Sequence, residues 1–227
     1  MSAGHPLHPA TDERPRVLVW FDYSCPFCYV DHFRFERLAT RHDFDIVDMP
    51  FELRPSAPLE GISARDSGLA HSEHVSAFIA RAAKEEGIVL HDRDLLPNTH
   101  RALLLGEVAR DAGPALHRAV HVGVFDALFG QGLDIGDEAV LLEVAEAAGL
   151  PRETAETAWA DTRYEGRLHA FRHLAAAMGV TATPSALICN QLIIGSRPVA
   201  VLEEAISRCL LTLADAKAES LSPAVGA

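Results

Sequence analysis

Cys25 and Cys28, in Asp22-Tyr23-Ser24-Cys25-Pro26-Phe27-Cys28-Tyr29, are the residues of this 227-residue chain best placed by type and spacing to do chemistry. A CxxC pair can exchange disulfides with a substrate, begin a zinc knuckle or form a fixed crosslink. Its surroundings favour exchange. Val17-Leu18-Val19-Trp20-Phe21 is the unbroken apolar run of a strand buried on both faces, and the mixed apolar and charged stretch from the cysteines to about Arg41 reads as a helix. With Cys25 at the cap and Pro26 at the first helical position, where a missing N–H costs nothing, the unpaired amides of the first turn point at the Cys25 sulfur. Such a site lowers a cysteine from about 8.5 into the range of roughly 3.5–7.5. Cys25 is therefore expected to attack as a thiolate, and Cys28, on the same helical face, to resolve the mixed disulfide.

The elements that must hold the pair follow in order. Phe44 to Leu53 reads as a second strand stopped at Arg54-Pro55, which completes a strand–helix–strand unit. From about Arg65 to Gly179 the spacing is helical throughout, with no convincing strand. Its helices are expected over 72–86, from 99 to about 111, over 114–129 and 137–148, after Pro151, and over 164–178. This stretch is large enough to build a small core of its own. Strand chemistry returns after Thr183-Pro184, where Ser185 to Cys189 and Leu192 to Ile194 flank Asn190-Gln191 as a hairpin. Val199, Leu202, Ile206, Cys209 and Leu213 then form one helical stripe. The expected organisation is a tail over 1–15, a discontinuous α/β domain over 16–62 and 179–213, a helical insertion over 63–178 and a flexible tail over 214–227.

Composition removes several function classes. Twenty basic against 32 acidic residues give a net charge of -12, which disfavours a sequence-blind nucleic-acid binder. No segment is apolar for long enough to span a bilayer. Met1 to Arg16 lacks the basic head and apolar stretch of a secretory signal, so a cytoplasmic protein is expected, where disulfides are more often catalytic than structural. Cys189 and Cys209 offer no second CxxC and are expected to pack as small hydrophobes, with a disulfide between them the other arrangement left open. Two of the twelve histidines' pairings, His117 with His121 and His169 with His173, stand one helical turn apart. Neither has the glutamate of a zinc-protease helix, so no metal site is expected. Asp22 is read as a hydrogen-bond acceptor for loop amides at the strand end, with proton transfer at Cys28 as the other role open to it.

Taken together, Asp22 with Cys25-Pro26-Phe27-Cys28-Tyr29, Pro50-Phe51-Glu52-Leu53-Arg54-Pro55, Asn98-Thr99-His100, Gly132-Leu133-Asp134-Ile135 and Gly179 to Pro184 resemble the DsbA family of thioredoxin-fold oxidoreductases, and within it the FrnE-like subgroup. That resemblance implies an α/β thioredoxin fold with a large all-helical insertion. It implies that Pro184 is a cis proline facing the CxxC, turning the Thr183 backbone toward Cys25 to meet an extended peptide or glutathione by strand-like pairing. Asn98 and Thr99 would lie near the thiols, with substrate contact and capping of the following helix both open. Phe27 replaces the Trp usual in the subgroup and brings the thiolate neither hydrogen bond nor charge, while Arg54 stands where Asn is usual. The implied activity is thiol–disulfide exchange on peptides, proteins or small thiols. It needs no metal or organic cofactor, with glutathione as a co-substrate. Rival readings are a glutathione-dependent isomerase or transferase of the 2-hydroxychromene-2-carboxylate isomerase or kappa-class type, which characteristically place Ser at the nucleophile position, and a redox-switched chaperone.

Overall fold

The computed structural model describes residues 14–63, 73–91 and 95–221. At its centre is β1 (Arg16–Phe21), flanked on one side by parallel β2 (Asp45–Pro50) and on the other by antiparallel β5 (Ser185–Ile188), which pairs in turn with β6 (Gln191–Ile194). The apolar run of β1 alternates between two cores because strand side chains point to opposite faces in turn. Val17 and Val19 pack with Phe35 and Leu38 of α1 (Pro26–Ala39) and with Leu202 and Ile206 of α8 (Val199–Leu221). Leu18 and Trp20 face Met49, Val180 and Ala175, the last on α7 (Thr162–Ala177). Both faces are covered, which is why β1 carries no polar residue after Arg16.

The other elements are β3 (Ile62–Ser63), α2 (Glu73–Glu85), β4 (Leu95–Leu96), α3 (His100–Ala112), α4 (Pro114–Phe129), α5 (Glu138–Ala147) and α6 (Arg152–Glu156). The apolar core of α3, α4 and α5 is continuous with Phe21, Tyr23, Cys25, Cys28 and Tyr29, so the insertion shares its core with the thiol segment instead of enclosing a separate one. β4 departs from the helical expectation for 65–179: it pairs antiparallel with β3, just before that stretch, as a ribbon of two residues each, too brief to leave a period in the sequence. Expected helix start 72 lies outside the described residues.

Four further differences have local causes. β2 stops at Pro50 instead of Leu53, because the Leu53 N–H is bound by the Asp22 carboxylate and not by a neighbouring strand. The hairpin turn is Cys189-Asn190, one residue earlier than expected, with Cys189 at φ 51. α8 continues to Leu221, so 214–221 is helix and not flexible tail; its Ala-, Lys- and Glu-rich sequence favours helix. Cys189 and Cys209 are not separate small hydrophobes. They form a disulfide with Cα atoms 5.7 Å apart, inside the range such bridges span, because the hairpin turn lies against the middle of α8. Near the chain start, Arg14 pairs with Asp43 and Asp45 at 2.6 and 2.7 Å and the Pro15 carbonyl accepts from the Asp45 N–H at 2.8 Å, so the last two residues of the expected tail are tied to β2; residues 1–13 lie outside the described residues.

Candidate active site

Cys25 is the N-cap residue of α1 and Pro26 its first helical residue. The Cys25 carbonyl accepts the first helical bonds from Cys28 N–H at 3.0 Å and Tyr29 N–H at 3.3 Å. No side chain caps this end, so the free amides of the first turn are left to act on the sulfur. Cys25 and Cys28 are free thiols, 6% and 3% exposed. A hydrogen bond from the Cys28 thiol does most to pull Cys25 below the ordinary cysteine range, against burial, with Thr183 and the Cys28 amide helping. Burial and that same donated proton push Cys28 well above it. One proton is thus held by the inner sulfur in favour of the outer one.

Thr183 and Pro184 come from the loop before β5. Their peptide bond is cis, and the Cys25 thiol faces the Thr183 carbonyl at 3.5 Å. Pro26, Phe27 and Thr183 are half-buried around the sulfur. Phe27 packs against Phe78 of α2, ring centroids 5.9 Å apart.

Asp22 lies fully buried beneath the pair. Its Oδ1 accepts from the Ser24 N–H at 2.6 Å and the Ser24 hydroxyl at 2.7 Å; its Oδ2 accepts from the Leu53 N–H at 2.7 Å and the Thr99 hydroxyl at 3.2 Å. Burial raises this carboxyl despite those four donors. It therefore ties the end of β1 to the thiol loop, the segment after β2 and the start of α3. Thr99 reaches the site through Asp22. Asn98 does the capping: its Oδ1 accepts from the His100 N–H at 2.9 Å, while its Nδ2 donates to the Ala57 carbonyl at 2.7 Å. Asn98 also lines a cavity of about 660 Å³ beside Phe51, Pro55, His100 and Arg172, which neither Cys25 nor Cys28 lines. Ser24, Leu53 and Arg54, which donates to the Ser24 hydroxyl at 3.3 Å, are neighbours that the sequence does not single out for this role.

A second cluster lies further along α1. His32 stands one turn beyond Cys28, Asp48 on β2, and His117 and His121 on α4. The His117–His121 pair thus gains partners from two distant segments, which its spacing alone does not reveal. His117 Nε2 is 3.2 Å from Asp48 Oδ2 and its Nδ1 is 3.0 Å from the Gly106 carbonyl. Burial holds His121 down to about 3 and also lowers His32. Asp48 lies well below the usual carboxylate range: burial opposes its ionisation, but the facing histidines outweigh it.

A sheet ordered β2-β1-β5-β6, with a helical insertion between β2 and β5 and two free thiols at the β1–α1 junction, defines a DsbA-like thioredoxin fold. The chain belongs to the family of the DSBA-like thioredoxin domain, whose model matches residues 16–207. Its fold is similar to the crystal structure of the probable DsbA oxidoreductase SCO1869 from Streptomyces coelicolor, with a TM-score of 0.76 and 24% identity over 87% of this chain and 90% of that one. It is also similar to a 2-hydroxychromene-2-carboxylate isomerase, at a TM-score of 0.70 and 22% identity over 88% and 98%. The cytosolic disulfide reductase DsbM from Pseudomonas aeruginosa, solved with GSH, gives 0.63 and 17% over the same shares.

Proposed function

We propose that the chain exchanges disulfides through Cys25 and Cys28 opposite the cis Thr183–Pro184 bond. The observation that carries this reading is the Cys25 sulfur at a helix N-cap, lowered by the Cys28 thiol and 3.5 Å from the Thr183 carbonyl. The Cys25 thiolate attacks one sulfur of a substrate disulfide, forming a mixed disulfide and releasing the other as a thiolate. Cys28 gives up its proton and attacks the Cys25 sulfur, which releases the second substrate thiol and leaves Cys25–Cys28 oxidised. Two electrons have passed to the substrate. Two molecules of a small thiol such as glutathione restore the enzyme by the reverse steps, so the cycle uses no metal or organic cofactor.

The substrates proposed are disulfide-bearing peptides or proteins, or small thiols such as glutathione. Pro26, Phe27, Thr183 and Pro184 form the surface that meets the substrate sulfur, with Thr183 offering main-chain pairing. Asn98 shapes the adjoining cavity, and Thr99 acts through Asp22. The proposed place of action is the cytoplasm, and the FrnE-like subgroup remains the proposed branch of the family. The half-buried Cys189–Cys209 bridge must then persist against the glutathione pool; its oxidation state in protein alkylated at cell lysis checks this.

The test is a pair of variants assayed with a disulfide substrate. Cys25→Ser is expected to abolish turnover and Cys28→Ser to accumulate a mixed disulfide visible by mass. Wild-type activity in Cys25→Ser ends the reading. Glutathione-dependent isomerisation or transfer that survives Cys28→Ser favours the isomerase reading, and protection of unfolding clients without turnover the chaperone one.

A further inference from the structure

The cluster on the other flank of α1 has the chemistry of a cation site. One ligand atom from each of His32, Asp48 and His121 lies within 4.8 Å of the other two, and His121 Nε2 is 3.8 Å from Asp48 Oδ1. His32 is 8% exposed, and its Nε2 is buried without a hydrogen-bond partner among the described residues. Buried polar groups are ordinarily satisfied, so such an atom calls for an explanation. A cavity of about 400 Å³ lined by His32, Asp48 and His117 opens onto the cluster, giving an entry path.

We propose that His32, Asp48 and His121 bind a divalent transition-metal ion, with Zn²⁺ the best match. Two imidazoles and a carboxylate are the donor set of three-ligand zinc sites whose fourth position stays open, and nitrogen with oxygen suits zinc better than magnesium or calcium. The surrounding groups hold two of the three ligands, His121 and Asp48, as such sites require. His121 Nδ1 is 3.2 Å from the Tyr23 hydroxyl; a proton on Nδ1, donated to that oxygen, leaves Nε2 with its lone pair facing Asp48. His117 occupies Asp48 Oδ2 and leaves Oδ1 for the ion. His32 and Asp48 line the cavity, so a fourth ligand would reach the ion from that side.

Bonds of about 2.0–2.2 Å require ligand atoms about 3.4 Å apart in a tetrahedron, so no gap has to close by more than about 1.4 Å, shared between two side chains. The ion would pin α1, which carries both thiols, to β2 and α4. It takes no part in the exchange steps above.

The experiment uses the full chain carrying Cys25→Ala and Cys28→Ala, so that no free thiol competes, after treatment with a chelator. Calorimetric titration with Zn²⁺ is expected to show one site, and Co²⁺ in its place a visible spectrum without thiolate charge transfer. His32→Gln and Asp48→Asn are each expected to weaken Zn²⁺ binding at least tenfold, while His169→Gln leaves it unchanged. His32→Gln decides the matter if Asp48→Asn fails to fold. No binding, or equal binding by His32→Gln and its parent, overturns the proposal.

Discussion

Cys25 and Cys28 begin as the same side chain and are driven apart by what surrounds them. The outer sulfur sits at an uncapped helix start and accepts a hydrogen bond from the Cys28 thiol; the inner one is buried and keeps its proton. Only the thiolate is nucleophilic, so reduced protein at neutral pH is expected to be alkylated by iodoacetamide at Cys25 and spared at Cys28. The Cys25 rate should inflect below the about 8.5 of an ordinary cysteine. Mass analysis of labelled peptides across pH checks both points, and equal labelling of the two thiols contradicts the shared proton. Asp22 shows a related contrast. The sequence reading of a carboxylate binding loop amides agrees with its bonds to the Ser24 and Leu53 N–H groups, but its reach to Thr99 joins it to the insertion.

At the scale of elements, α1 is the part on which the others converge. Its N-cap carries Cys25 and its first turn Cys28; His32 follows, and then Phe35 and Leu38 on the face packed against the sheet. The buried Arg34 bonds Asp31, the Ser196 hydroxyl and the Arg197 carbonyl, each at 3.1 Å, and so fastens this helix to the segment after β6. α8 is held differently, by the bridge from Cys189 in the β5–β6 turn to Cys209. A crosslink spanning 20 residues restricts the unfolded chain by about 3 kcal/mol. Replacing both cysteines by Ala is therefore expected to lower unfolding stability by about that amount, read as a reduced urea midpoint. An unchanged midpoint means the bridge adds nothing to stability.

For the whole molecule, His100 links three segments. Its Nδ1 meets Glu52 at 3.2 Å and its Nε2 Glu165 at 2.7 Å, which connects the segment after β2, α3 and α7. The bond to Glu52 is the larger cause, and with Glu165 it outweighs burial to raise His100 to about 9. A raised folded value stabilises in full below the unfolded histidine's about 6.5 and is lost as pH climbs through the folded value. After allowance for solvent screening, the loss is about 1 kcal/mol. The stability difference between wild type and His100→Gln should shrink by that amount between pH 6.5 and 9.5 in urea titrations. The redox poise is also a property of the whole molecule. Because Phe27 lends the thiolate neither hydrogen bond nor charge, the Cys25–Cys28 potential is expected nearer thioredoxin's about -270 mV than DsbA's about -120 mV. Equilibration with glutathione buffers measures it.

What the amino-acid order settled alone is local. The apolar run of β1, the Cys25-Pro26 cap and the helical spacing after it depend on neighbours within a few residues, where backbone bonding and side-chain period are set. The short ribbon and the end of β2 were not legible, because two-residue strands have no period and Leu53 bonds a carboxylate from another segment. Nor was the meeting of Cys25 with Thr183, 158 positions away, readable from either segment; the DsbA resemblance suggested it. Tertiary packing alone joined Asp22 to Leu53 and Thr99, Cys189 to Cys209, and His32 and Asp48 to His121. Such pairings depend on which buried faces meet, and a buried polar group takes whichever partner the packing leaves within reach.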